Sequence, residues 1–290
     1  MLAPVARAAD PAQKTFDSPE AGVAALVAAV EANDVAALRA ILGTHGETLF
    51  SSGDAVADGK YRAAFSNAYR RANTIEATGD ALATLVIGKD RWPLAIPLVK
   101  SNGAWYFDTQ KGEQEILDRR IGRNELATIQ VCLAIVDAQR DYVAKDRDSN
   151  GLLEYASKFV STPGMHDGLY WEPPPGESPS PLGPLLAAAA KGGYASANPF
   201  ESSPYHGYFF RILTQQGKDA PGGAYDYLVR GKLIGGFAVV AYPARYGVSG
   251  VMTFIVNHNG AVYQKDLGKN TAVIAAALTS FNPDPSWKRL

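Results

Sequence analysis

The segment from Asp146 to Glu154 carries oxygen-bearing side chains at a spacing that could bind a cation. Asp146, Asp148 and Asn150 stand at alternate positions, Gly151 follows them, and Glu154 occupies the ninth position. An EF-hand loop takes ligands from alternate positions and uses a glycine at the sixth for its sharp turn. The spacing therefore predicts a calcium loop of structural rather than catalytic character.

The loop departs from the EF-hand at its end. Its seventh-position ligand would be the carbonyl oxygen of Leu152, but the twelfth position is Ser157 instead of a bidentate glutamate. A calcium ion would need further oxygens from elsewhere in the fold, for example from Glu172 or Asp167. The alternative is a polar turn that ends a helix, with Gly151 in a left-handed conformation.

A second group of reactive side chains lies in the Pro- and Gly-rich segment 161–205. A serine, a histidine and an acid can form a hydrolase site. The residues available for that chemistry are His166, Asp167, Glu172, Ser178 and His206. Aromatic side chains can instead hold a ligand or a peptide. The candidates for such binding are Tyr170, Trp171, Tyr205 and Tyr208.

Two observations weigh against catalysis in this segment. The sequence GESPSPLG lacks the Gly-x-Ser-x-Gly turn of a hydrolase nucleophile. His166 and Asp167 are neighbours in the chain, so their side chains should diverge rather than act as a base and its orienting acid. An ordered structural loop packed on the body is the third interpretation of the segment.

Other site chemistries are not indicated. The four histidines have no spacing typical of a zinc site. The stretch GGAYDYLVRGKLIGGF contains no dinucleotide-binding fingerprint. The single cysteine, Cys132, lies in the apolar run IQVCLAIV, where a thiol is usually a small buried hydrophobe.

Charge and hydropathy restrict the partners and the location. The formal net charge is −1, which gives no field that would recruit nucleic acid. No run of apolar residues is long enough to cross a bilayer. Within residues 1–14, Ala6-Arg7-Ala8 fits the small-x-small rule of a signal-peptidase site. We therefore expect a signal-peptide remnant or a disordered tail, and an exported protein.

The fold class predicted from the element pattern is α+β, in two parts. In residues 15–110, Ser18-Pro19 and Asn33-Asp34 mark helix starts. Short strands follow, with a hairpin turn at Asn102-Gly103. Helices before an antiparallel meander that ends in GAWYFD resemble the cone-shaped domains of the NTF2-like kind.

The second part, residues 111–290, begins with a long helix over about 111–146. Its apolar pattern predicts one buried face, formed by Leu126, Ile129, Leu133 and Val136. The Pro/Gly-rich loop 161–205 and an antiparallel sheet complete this part.

Two resemblances follow from these segments. The phrases DRDSNGLLEYA, YHGYFFRILTQQG, GGFAVVAYPARYG and GVMTFIVN resemble a family of exported bacterial proteins, domain of unknown function 2950, over about residues 15–290. This resemblance implies export to the periplasm or cell envelope of a Gram-negative bacterium, and it brings no activity.

The order of long helix, polar loop and antiparallel sheet is also similar to the soluble heads of type IV pilins and pseudopilins. Such heads commonly carry a calcium site. The start of the helix, GEQEILDRRIGR, is polar where pilins are apolar, so filament assembly is not expected.

The sequence thus predicts a non-enzymatic binding or structural protein of the cell envelope, with a structural calcium ion as its one cofactor candidate. The partner would be another envelope protein or a small ligand, and neither nucleic acid nor a transmembrane segment is expected. The alternative is a hydrolase that acts on an envelope polymer with a site in the loop 166–180.

Overall fold

The computed structural model describes residues 13–194, 200 and 203–290. The chain has helices and antiparallel sheets and forms two compact units, which divide between Arg120 and Ile121. This confirms the predicted α+β class. The signal-peptidase motif lies outside the described residues, as do residues 195–199 and 201–202 of the predicted loop. In the described part of the chain, no helix combines the length and apolar character that crossing a membrane requires.

Four helices form the first half of unit 1. They are α1 (Pro19–Glu31), α2 (Val35–Leu42), α3 (Glu47–Phe50) and α4 (Ala55–Arg71). The Ser18 hydroxyl accepts a hydrogen bond from the Ala21 N–H at 3.1 Å, and the Asp34 carboxylate accepts one from Ala37 at 2.9 Å. These contacts satisfy backbone donors that the first helical turn leaves open, and they confirm both predicted helix starts.

An antiparallel sheet forms the second half of unit 1. Its strands are β1 (Asn73–Thr78), β2 (Leu82–Ile87), β3 (Trp92–Pro93), β4 (Leu98–Ser101) and β5 (Ala104–Phe107). The order is β1-β2-β4-β5, and β3 pairs with β2. Asn102 and Gly103 have φ values of 52° and 83°, as a type I′ hairpin turn requires, so the predicted turn is confirmed. Leu26 and Leu38 of the helices and Leu85, Leu98 and Phe107 of the sheet lie in one buried core.

The long helix α5 (Thr109–Val143) crosses the division between the units. Its predicted apolar face is wrong in one respect, because Leu126 is 67 % exposed. Val136 is buried as predicted, and the other buried side chains of this region include Thr128, Cys132, Ile135, Gln139 and Tyr142. Thr128, Gln139 and Tyr142 carry polar groups, and a pattern based on apolar residues alone therefore misplaced part of the buried face.

Unit 2 contains two shorter helices and nine strands in the described residues. The helices are α6 (Gly183–Lys191) and α7 (Thr271–Ala277). The strands are β6 (Tyr208–Leu213), β7 (Gln215–Gln216), β8 (Tyr225–Asp226), β9 (Leu228–Val229), β10 (Lys232–Leu233), β11 (Ala238–Pro243), β12 (Met252–Asn257), β13 (Val262–Asp266) and β14 (Lys288–Arg289).

The main sheet of unit 2 has the antiparallel order β14-β13-β12-β11-β6. Nearly every residue of the central strands β11 and β12 is buried, so both faces of the sheet are covered there. Two small antiparallel pairs, β7–β8 and β9–β10, stand apart from this sheet. The β9–β10 pair is the one that positions the candidate site.

Candidate functional site

Two polar side chains near the end of α5 hold the loops that carry the candidate residues. The buried amide of Gln139 donates from Nε2 to the Ala156 carbonyl at 2.8 Å and accepts from the Ala156 N–H at 2.9 Å. One turn later, the Tyr142 hydroxyl donates to the His166 carbonyl at 2.6 Å. Burial raises the pKa of Tyr142 to about 12, with the nearby charges of Asp148 and Glu154 as lesser causes. The two loops are therefore fixed from a single helix end.

The loop 146–154 is shaped by its own side chains. The Asp146 carboxylate accepts hydrogen bonds from the N–H groups of Asn150 and Gly151 at 3.1 and 2.8 Å. The Asn150 side-chain oxygen accepts one from the Leu152 N–H at 2.8 Å. Gly151 has a φ of 83°, as the interpretation of the segment as a helix-ending turn predicted. Two of the predicted calcium ligands thus already stabilise the turn.

Lys232 supplies a cation to the other two acids of this loop. Its Nζ atom lies 3.0 Å from Oδ2 of Asp148 and 2.8 Å from Oε1 of Glu154. The Asn150 amide nitrogen donates to both carboxylates as well. The ammonium thus links the end of α5 to the β9–β10 hairpin.

The pKa values in this cluster are shifted in the directions that ion pairing produces. Burial by itself would raise the pKa of Asp148, but hydrogen bonds from Lys232 and Asn150 and the lysine charge outweigh it and lower that pKa. Hydrogen bonds to Glu154 and Asp148 raise the pKa of Lys232 well above its usual range. Asp148 and Lys232 thus stabilise each other's charged forms.

Calcium binding at this loop stays a prediction. Among the described residues, no group of three or more His, Cys, Asp or Glu side chains is arranged to hold a metal ion. A calcium ion bound by Asp148 and Glu154 would have to displace the Lys232 ammonium from both. The two additional ligands considered, Glu172 and Asp167, have hydrogen-bond partners of their own.

Asp167 fixes the beginning of the Pro/Gly-rich loop. Its carboxylate accepts hydrogen bonds from the Lys158 ammonium at 2.6 Å and from the Thr162 N–H and hydroxyl at 2.7 and 2.9 Å. Burial opposes ionisation here, but these bonds and the lysine charge lower the pKa of Asp167 to about 2. Asp167 is therefore held as a carboxylate by the loop itself.

The aromatic residues of this loop contact one another. The rings of His166 and Trp171 are stacked with centroids 4.3 Å apart, and the Arg147 guanidinium lies 5.8 Å from the Trp171 ring. The Tyr170 hydroxyl donates to Glu172 at 2.7 Å. Trp171 therefore meets an imidazole and a cation of its own chain at positions that a stacking ligand would use.

The serines of the hydrolase hypothesis are not joined to a histidine. Ser178 is exposed and Ser180 is buried, and the Ser180 hydroxyl has no hydrogen-bond partner among the described residues. The His166 ring stacks on Trp171, whereas the His206 ring lies 4.3 Å from that of Tyr205. The Ser180 hydroxyl therefore lacks the contact with a histidine that nucleophile activation requires.

Tyr205 and Tyr208, predicted as ligand contacts, are both buried. The Tyr208 hydroxyl donates to the Met252 carbonyl at 2.9 Å, and burial raises its pKa far above the usual range. A Cβ atom added to Gly250 would lie 2.0 Å from the Tyr208 hydroxyl oxygen. These contacts give Tyr208 a place in the core, where glycine is required opposite its hydroxyl.

Cys132 is likewise enclosed. Its side chain is fully buried in α5, and burial raises the pKa of the thiol to about 12. A thiol with that pKa carries almost no thiolate at neutral pH. The predicted role as a small buried hydrophobe agrees with this environment.

Exposed apolar side chains are frequent on the two chain segments that the Lys232 ion pairs join. Six of the thirteen large apolar side chains that are exposed in the described residues come from residues 152–153 and 225–234. We call these six the apolar cluster: Leu152, Leu153, Tyr225, Leu228, Val229 and Ile234. The two segments are held side by side by a β-bridge between Tyr155 and Leu233 and by the ion pairs of Lys232.

Sequence reasoning did not identify Lys232 or the apolar cluster. Arg230 and Gly231 have φ values of 52° and 82°, so a type I′ turn closes this hairpin. An Arg-Gly turn between Leu-Val and Lys-Leu was a signal for the hairpin, and it would have placed Lys232 opposite Val229. Nothing local could have placed Lys232 beside an acid 84 residues earlier in the chain.

Comparison with known proteins identifies the family of the chain. The family described as "Protein of unknown function (DUF2950)" matches residues 13–290 of the chain. No curated protein and no solved structure is significantly similar to this chain.

Proposed function

The chain belongs to the DUF2950 family, and from its geometry we propose a non-enzymatic binding protein of the bacterial cell envelope that holds a partner protein on the apolar cluster. The observation that carries the proposal is the gathering of exposed apolar side chains on two segments that the Lys232 ion pairs fix in place. Exposed apolar groups of this kind are typical of interaction sites.

The charges around the cluster define the chemistry of the partner. Lys232 pairs with both Asp148 and Glu154, so these three groups together carry a net charge of −1 and present no uncompensated cation. Arg230 and Asp226, both exposed, flank the apolar residues of the hairpin. A partner should therefore offer an apolar centre with charged groups at its rim, as protein interfaces generally do.

The partner search needs a defined position and a defined control. A photo-crosslinking amino acid at Val229 should capture one protein in the envelope, whereas the same amino acid at the more exposed Val273 of α7 should not. The captured protein, once purified, should bind the wild-type chain and lose at least about tenfold in affinity for Leu153→Asp or Val229→Asp. Val273→Asp is the matched control and should bind as the wild type does.

Three outcomes decide the proposal. Equal binding by Val229→Asp and Val273→Asp would contradict it. Capture of a second copy of this chain, with a dimer in light scattering that Val229→Asp dissociates, would make the partner the protein itself and contradict a different partner. Catalytic turnover of an envelope polymer that is lost in Ser178→Ala would favour the hydrolase alternative.

The envelope location is part of the proposal. It is supported by the family resemblance and by the Ala6-Arg7-Ala8 motif. Fractionation of cells that express the full gene tests it, because recovery of the protein with cytoplasmic markers alone would contradict export.

Two finer descriptions of the fold are proposed on element order alone. Unit 1 would be an NTF2-like cone and unit 2 a pilin-like head, in which a long helix precedes an antiparallel sheet. An experimental structure whose strand order differs from β1-β2-β4-β5 or β14-β13-β12-β11-β6 would contradict the corresponding description.

Calcium is proposed as a structural ligand of the loop 146–154. Binding to the folded protein alone raises its melting temperature, so millimolar Ca²⁺ should raise the melting temperature and EGTA should reverse the effect. The increase should be larger in Lys232→Met, because that substitution frees Asp148 and Glu154 from the ammonium. No increase in either protein would refute the calcium site.

A further inference from the structure

A cleft in unit 1 lies away from the residues discussed so far. It is formed by the end of α1 and one side of α4 and has a volume of about 410 Å³, which is within the range of small-molecule sites. Valine and alanine side chains form part of its wall. The polar and charged residues that line it are Glu31, Asn33, Arg62, Ser66, Asn67 and Arg70.

The charges of the cleft leave one cation available. Arg70 forms an ion pair with Glu31 at 2.7 Å. Arg62 donates from Nη1 to the Phe50 carbonyl at 3.0 Å, and no carboxylate lies within ion-pair distance of it among the described residues. With two arginines and one glutamate, the lining carries a net charge of +1. This charge matches a single carboxylate better than a phosphate dianion.

Uncommitted hydrogen-bonding groups stand beside Arg62. The side chains of Ser66 and Asn67 make no hydrogen bond among the described residues, and Ser66 is only 6 % exposed. The Ser66 hydroxyl itself is not fully enclosed, so water or a ligand in the cleft can satisfy it. Arg62, Ser66 and Asn67 therefore present donors and acceptors to whatever enters the cleft.

A glycine inside α4, Gly59, also lines the cleft. It lies inside α4, where glycine costs about 0.5–1 kcal/mol relative to alanine. The helical glycines Gly22 and Gly112 are explained by close packing, because an added Cβ would lie 2.7 and 2.3 Å from its nearest neighbour. At Gly59 an added Cβ would meet nothing within 4 Å, and Gly59 itself lines the cleft. Close packing therefore does not explain Gly59, and a longer side chain at this position would extend into the cleft.

We propose that this cleft binds a small organic monocarboxylate. The carboxylate would pair with the Arg62 guanidinium, whose planar fork fits two carboxylate oxygens. Ser66 and Asn67 would hydrogen-bond the polar groups near it, and the apolar remainder of the ligand would lie against the alanine side chains. The site is separate from the apolar cluster and from the function proposed for it.

The test compares two glycines that have the same helical setting. Gly59→Leu fills the cleft, whereas Gly122→Leu places the same side chain at the exposed Gly122 of α5, where an added Cβ also meets nothing within 4 Å. Both substitutions improve helix propensity, so neither protein should melt below the wild type. Arg62→Gln is the third variant, and it removes the cation while keeping a donor for the Phe50 carbonyl.

Calorimetric titration with pyruvate, lactate, benzoate and N-acetylglycine gives the readout, with chloride and inorganic phosphate as reference anions. We expect at least one of the four carboxylates to bind the wild type and Gly122→Leu equally. Its affinity should fall at least tenfold in Gly59→Leu and in Arg62→Gln.

Three results would overturn the proposal. The first is that none of the four carboxylates binds the wild type. The second is that phosphate binds more tightly than they do, which would assign a different ligand class. The third is that Gly59→Leu binds as well as Gly122→Leu, or that it melts below the wild type, since either would show that the space above Gly59 is not the binding cleft.

Discussion

The Lys232 ion pairs make a quantitative prediction about the stability of unit 2. In Lys232→Met the stem of the side chain is kept and the ammonium is lost. The exposed fractions are 38 % for the Lys232 side chain, 19 % for Asp148 and 9 % for Glu154. Fully exposed ion pairs contribute about 0–1 kcal/mol, whereas removing one partner of a buried pair costs about 3–5 kcal/mol. The observed burial lies between these cases, so we expect a loss of about 2 kcal/mol.

The dependence of this loss on pH follows from the pKa shifts. The pKa of Asp148 is lowered in the folded state, so its contribution is present above its unfolded value near 3.9 and is lost as the pH falls through the folded pKa. The pKa of Lys232 is raised, so its contribution is complete below about pH 10 and is lost as the pH rises further. The difference between wild type and Lys232→Met should be constant between about pH 5 and 10 and should shrink below about pH 4.

Thermal unfolding followed by circular dichroism measures the effect. For a unit of this size, 2 kcal/mol corresponds to a decrease in melting temperature of about 4–8 °C. Lys218→Met is the matched control, because Lys218 is exposed and makes no ion pair among the described residues. A second substitution, Glu154→Gln, should recover about 1 kcal/mol in the Lys232→Met background by removing one of the two unpaired carboxylates.

Two results would refute this reasoning. One is a Lys232→Met protein no less stable than Lys218→Met at pH 7. The other is a stability difference that stays unchanged below pH 4, since it would then not depend on the carboxylates.

Two further predictions concern the core and the Pro/Gly-rich loop. Gly250→Ala should destabilise the protein by about 2–3 kcal/mol in urea unfolding, because the new Cβ forces the buried Tyr208 ring to move. Gly122→Ala is the control and should be neutral or stabilising, because an added Cβ there meets nothing within 4 Å. Equal changes in stability for the two variants would contradict the packing argument. Asp167→Asn should cost about 1–2 kcal/mol at neutral pH, a value discounted for the partial exposure of its lysine partner. That cost should shrink as the pH falls from about 4 through 2, because the carboxylate is protonated first in the unfolded state and then, below its folded pKa of about 2, in the folded state as well. The exposed Glu177→Gln should show no such change.

Much of the local structure could be predicted because its causes are local. Ser18 and Asp34 start helices through bonds to N–H groups three residues away, at Ala21 and Ala37. Gly151 adopts the left-handed conformation that a turn favours for glycine. In each case, the interacting groups lie close together in the sequence.

The candidate site could not be predicted in the same way. The calcium hypothesis considered the acids of the loop 146–154 without their counterion, which comes from a hairpin 78 residues beyond Glu154. The apolar cluster depends on the same long-range pairing. The buried face of α5 was misplaced for a related reason, because Gln139 is buried by virtue of a bond to Ala156 that no periodicity indicates.

The reactivity of the buried Cys132 thiol reports how often the structure around α5 opens. It is the one cysteine in the chain and is fully buried, and its thiol has a pKa of about 12. A thiol reagent can react with it only during excursions in which α5 separates from the residues that cover it. At high reagent concentration the labelling rate equals the frequency of these excursions, and at low concentration it gives their equilibrium population. The kinetics of unit 2 can therefore be followed in the unsubstituted protein through its own cysteine.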